Sequence, residues 1–94
     1  MTIYVTHWSM TSDITAESAH RLAGEWAKSW RLSWLPDRLL TRDQAMAGMD
    51  LAEIFSTQDF RHDSTVRARA CVCAGQLGIP LELIGLELQH RRHP

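Results

Sequence analysis

The tetrapeptide Thr41-Arg-Asp-Gln44 constrains this chain more than any other stretch. The Thr hydroxyl takes the amide of the residue three on, and the Gln side chain reaches back to the Thr amide. Together they close the first turn of a helix from both sides. Leu40 before the box and Ala45 just after it supply a weak hydrophobic staple. Ala47, Gly48, Leu51, Ile54 and Phe55 then form one apolar stripe, at the spacing of a helix face. The pattern predicts a helix over 41–57. Asp50 and Glu53 lie three apart on it and read as its solvated side.

The same kind of punctuation continues downstream. Gln58–Asp63 is polar and reads as a loop. Asp63 or Ser64 caps a helix whose stripe is Val66, Ala70, Cys73, Ala74 and Leu77. Gly78 is placed to close it in the left-handed conformation, and Pro80 to start another at the first helical position. These signals predict helices over 64–77 and 80–90. The last carries Leu81, Leu83, Ile84, Leu86 and Leu88 nearly all round, which calls for burial or a partner. Residues 91–94 read as a frayed tail.

The first forty residues are less sharply marked. Residues 2–8 are rich in β-branched and aromatic side chains and read as a strand. Ala19, Leu22, Ala23, Trp26, Ala27 and Trp30 fall at helical spacing, with Asp13 and Thr15 as caps and Glu17–Arg21 as a pair on the wet side. This predicts a helix over 13–30. Residues 31–35 read as a second short strand, stopped by a turn at Pro36-Asp37. The expected fold is therefore mainly α. It is one domain over 1–94, with four helices and room for a two-stranded β element at 2–8 and 31–35.

The chain has 94 residues, so the core is thin and a partner subunit is one route to completing it. Net charge is −1, and basic and acidic residues are spread evenly along the chain. That lacks the footprint of a general nucleic-acid binder. No apolar run reaches membrane-spanning length, and no secretory signal is visible after Met1. The expected compartment is the cytoplasm, with Cys71 and Cys73 as free thiols. Residues two apart on a helix point away from each other, so Cys71 and Cys73 do not share a metal ion. Glu17 and His20 form only half of a di-iron motif. No nucleophile elbow, phosphate loop or dinucleotide fingerprint occurs. The expectation is a non-enzyme with no catalytic residues, metal or cofactor.

Two segments remain as candidates. Ala74, Leu77, Gly78, Ile79 and Ile84 match the small, apolar and turn positions at the centre of a helix-turn-helix. The segment resembles that family, and the resemblance implies DNA binding through Gln89, His90, Arg91 and Arg92 at the end of the second helix. Against it, Glu82, Glu87 and the leucines occupy the helix that would face a groove.

The other segment, Trp30-Arg-Leu-Ser-Trp-Leu-Pro-Asp-Arg38 with Arg42, gathers the residue types that dominate contact hot spots. Residues 30–46, with Leu51-Ala-Glu53, resemble a segment of short uncharacterised proteins of actinobacteria and their phages. That resemblance carries no activity and implies a phage or mobile-element accessory role.

The function expected is a protein–protein interaction module, a small adaptor or regulator acting as a homodimer with no membrane partner. Its contact residues are Trp30, Arg31, Trp34, Arg38, Arg42, Leu83 and Leu86. The alternative is a DNA-binding helix-turn-helix regulator.

Overall fold

Five short strands lie within the first forty residues, and three helices follow. The computed structural model describes residues 2–23, 29–56 and 64–92, with Arg91 and Arg92 by their backbone only. The strands are β1 (Ile3–Val5), β2 (Ser9–Ser12), β3 (Ala19–Arg21), β4 (Trp30–Leu32) and β5 (Leu35–Leu40). They form one antiparallel meander in chain order. The helices are α1 (Arg42–Ser56), α2 (Ser64–Leu77) and α3 (Leu81–Arg92).

The fold is thus mixed α/β rather than mainly α with two strands. The helix expected over 13–30 is replaced, within the described residues, by the connection after β2 and by β3. Trp26 and Ala27 of its stripe lie outside the described residues. Glu17 is not on a helix; its Oε1 accepts a hydrogen bond from Ser33 Oγ at 2.6 Å. The strand expected over 31–35 is in fact parts of two, β4 and β5, joined at Ser33-Trp34. Pro36 does not end a strand but lies inside β5. Because β5 is an edge strand, a missing amide there breaks no ladder.

Register explains why such short strands hold. Opposed residues share a face. Val5, Met10, Ala19, Leu32 and Leu35 therefore line up in one row across the sheet, and Arg21, Trp30 and Leu40 in another. Helix α1 packs on this face. Gly48 makes the close approach, since a Cβ there would fall on Leu32 Cδ1. The Trp34 indole then donates to the Gly48 carbonyl at 3.3 Å.

The helical half follows its sequence signals closely. The capping box forms, with Gln44 N to Thr41 Oγ1 at 3.1 Å and Thr41 N to Gln44 Oε1 at 2.9 Å. Gly78, with φ of 70°, closes α2. The Ile79 amide bonds the Ala74 carbonyl and the Gly78 amide that of Gly75, each at 3.2 Å, a full Schellman motif. Pro80 sits one step earlier than expected, as the cap: its carbonyl accepts the amides of Leu83 and Ile84. Helix α3 runs to Arg92, two residues past the expected end. The loop expected at Gln58–Asp63 lies outside the described residues, as do His93 and Pro94.

One sequence reading of α1 is corrected by its packing. Glu53 is not on a solvated face; it is 5% exposed. Its carboxylate accepts from Ser12 Oγ on β2 at 2.5 Å. Helix and sheet are therefore tied by a part-buried side-chain hydrogen bond as well as by apolar contact.

Candidate functional site

The residues named from sequence separate into three places. The first is the core. Trp34 is 1% exposed, and Trp30 and Leu40 are buried beside it. The second is the outer sheet face and edge, where Arg31 and Arg38 are exposed. Arg31 stands opposite His20 on β3. The third is the start of α1, where Arg42 is exposed and lines a cleft with Trp30. The Trp/Arg segment is therefore not one continuous patch. Strand alternation sends its neighbours to opposite faces, and Trp34 sits at the β4–β5 turn.

Helix α3 presents the second set. Ile84 and Leu88 are buried against the rest of the molecule, and Gly85 sits over the Phe55 ring. The opposite side carries Glu82, Leu83, Leu86, Glu87, Gln89 and His90, all exposed. Leu83 is 56% and Leu86 64% exposed, so two leucines one turn apart face water. Arg91 and Arg92 close the helix in sequence. The axes of α2 and α3 meet at 95° across the Gly78-Ile-Pro80 turn, the range of a helix-turn-helix. Ala74, Leu77 and Ile84 are buried and Ile79 half-buried, so the apolar and small positions of that resemblance pack inward while the turn Gly78 is exposed. What the helix offers outward is acidic and apolar up to Gln89.

A third feature carries no strong signal in the sequence. Val5, Thr6, His7, Arg21, Trp30 and Arg42 line an open cleft of about 550 Å³. Arg21 and Trp30 reach it from one row of the sheet, and Arg42 from the first position of α1. The His7-Trp8 turn closes it, held by Thr6 Oγ1, which accepts the amides of Trp8 and Ser9 at 3.2 and 2.9 Å. Sequence reading missed the cleft because His7 and Arg21 are far apart in sequence and only the β2–β3 register brings them together. Arg42 alone was singled out for its charge.

The carboxylates of α1 meet α2. Burial pushes the Asp50 carboxyl up from its ordinary value, Glu53 adds to the rise, and the Arg69 guanidinium opposes it. Cys73, half-buried on α2, has its thiol pushed up by burial and then by Asp50. A thiol held in its protonated form is a poor nucleophile and a poor metal ligand. Cys71 is exposed. Among the described residues, no group of three or more His, Cys, Asp or Glu is placed to hold a metal ion. No single helix among them is long and apolar enough to cross a membrane.

Sheet, helix pair and cleft together define a small mixed α/β domain with an exposed leucine stripe on its last helix. Compared with known proteins, the chain matches no family model, no curated protein and no solved structure.

Proposed function

We propose that the protein is a non-enzymatic interaction module, a small adaptor or regulator that pairs with a second copy of itself through α3. The observation that carries this reading is the exposure of Leu83 and Leu86 on the side of α3 turned away from the core. Leucines this exposed leave apolar area that association removes from water. The order of charges on the helix suits an antiparallel pair. Glu82 lies at its start and His90, Arg91 and Arg92 at its end. Two copies crossing at Leu86 set Glu82 beside the partner's His90, so each acidic start meets a basic end. The patch is small, which fits a micromolar dimer rather than an obligate one. The setting is the cytoplasm, supported by two free thiols, and the resemblance of residues 30–46 adds a phage or mobile-element accessory role.

Sedimentation equilibrium from about 10 to 100 μM tests the reading. Wild type gives a mass near twice 10.7 kDa. Leu86→Glu gives a monomer with an unchanged thermal transition, because the side chain it replaces is exposed. A wild-type monomer throughout that range removes the proposal.

A second reading, DNA binding, draws support from the 95° crossing and the left-handed Gly78. Glu82 and Glu87 on the exposed face oppose it by repelling phosphates. Fluorescence anisotropy with duplex DNA at low salt separates the two: the interaction reading expects no binding there.

A further inference from the structure

The geometry points to the cleft between the β1–β2 turn and the start of α1 as a binding site for a small phosphate monoester with a planar group, of mononucleotide size. The argument begins with the sheet. Arg21 is paired with Trp30 on the face that α1 covers, but α1 begins only at Arg42. Among the described residues α1 leaves the end of that face uncovered, and two cationic side chains from different elements line one cavity there.

Arg21 is held in place rather than left to wander. Its Nη1 lies 2.7 Å from His7 Nε2. A guanidinium only donates, so the His7 nitrogen accepts. The same guanidinium stacks over the Trp8 ring, 5.1 Å from the centroid, and His7 meets Trp8 edge-on at 4.9 Å and 86°. A guanidinium fixed by ring contacts loses little freedom on binding an oxyanion. Arg42 adds a second cation across the opening. No carboxylate lines the cavity among the described residues.

The rest of the described lining adds apolar walls, from Val5 and Trp30, and a hydroxyl, from Thr6. Trp8, 56% exposed, stands beside the opening. Two guanidinium groups match a phosphate better than a carboxylate, because a phosphate presents three oxygens to their donors. The volume lies in the range that holds small organic ligands, and the apolar walls suit a flat ring attached to the phosphate.

Amide NMR titration of the full chain with AMP, adenosine and inorganic phosphate is the test. AMP should shift the amides of residues 5–8, 21 and 42 saturably, with a dissociation constant of about 0.1–1 mM. Adenosine and inorganic phosphate should each bind at least about tenfold more weakly, and Arg42→Ala should weaken AMP by about tenfold. Arg42 is exposed, so that variant keeps the fold, and its amide spectrum verifies this. Arg21→Lys keeps the charge but loses the fork, and should also weaken AMP. The proposal is overturned if AMP leaves these amides unmoved, if adenosine or phosphate alone binds as well, or if Arg42→Ala changes nothing.

Discussion

Helices α1 and α3 hold similar apolar side chains and use them in opposite ways. In α1, Ala45, Ala47, Gly48, Met49, Leu51, Ala52, Glu53 and Ile54 are all buried. The sheet takes one side of the helix, and α2 and α3 take another. In α3, Ile84 and Leu88 are the buried positions among residues 81–90, while Leu83 and Leu86 face water. Apolar content therefore does not decide burial. Position in the stack of layers does. A helix between a sheet and two other helices uses every side of its surface, whereas a helix at the outside keeps one side free.

Paired substitutions test that contrast most directly. Leu51→Ala should have the largest effect, about 2–5 kcal/mol of stability in chemical denaturation, because it opens a cavity between sheet and helices. A loss below 1 kcal/mol would mean that α1 is not the packed centre.

Ser12→Ala should cost about 1–2 kcal/mol, since it leaves the buried Glu53 carboxylate without its hydroxyl donor. Ser12→Ala combined with Glu53→Gln should then lose less than the two single changes summed, because both act on one contact.

Asp50→Asn acts in a predictable direction. The folded-state pKa of Asp50 is raised above 3.8, so the folded form binds its proton more tightly than the unfolded chain. The stability this contributes is full below pH 3.8 and is lost as pH rises through the raised value. Asn carries no charge at any pH. The variant should therefore melt higher than wild type at pH 7, with the gap closing as pH falls towards 4. A gap that widens on acidification would contradict the burial of this carboxyl.

Leu86→Ala should have the smallest effect on the folding of the protomer, within about 0.5 kcal/mol at concentrations where it is monomeric. Measured beside Leu51→Ala, it gives the contrast as a number. A loss equal to that of Leu51 would erase it.

The two halves of the chain also differ in how far they were legible. The helical half was legible because its signals are local. Thr41 and Gln44 close one helix start, Ser64 begins the next helix, and Gly78 and Pro80 mark the joint. Each acts within one turn, so α2 runs over the expected 64–77 and α1 differs from expectation by one residue at each end.

The sheet half was not legible. Three-residue strands such as Ala19-His20-Arg21 show a single in-out-in step, too little to establish a period of two. Residues Ala19 to Trp30 happen to carry helical spacing instead. The described turns of the first half use Thr6, Ser12 and Thr15 hydroxyls on nearby amides rather than the glycines that mark hairpins. As for the sites, the charge of Arg42 and the leucines of α3 stood out in the sequence. The clustering of Arg42 with His7 and Arg21, and the burial of Glu53, did not.

The sequence alone determined where the three helices lie to within two residues at each end, because caps and left-handed turns are short-range chemistry. It also determined that α3 carries more leucine than one side of a helix needs. Only the tertiary structure decided that the first forty residues pair as a five-stranded meander. No strand there is long enough to be stable by itself, and each gains its hydrogen bonds and its apolar row from neighbours and from α1. The same packing chose which leucines of α3 stay in water, and it brought Arg42 to one cleft with Arg21 and Trp30.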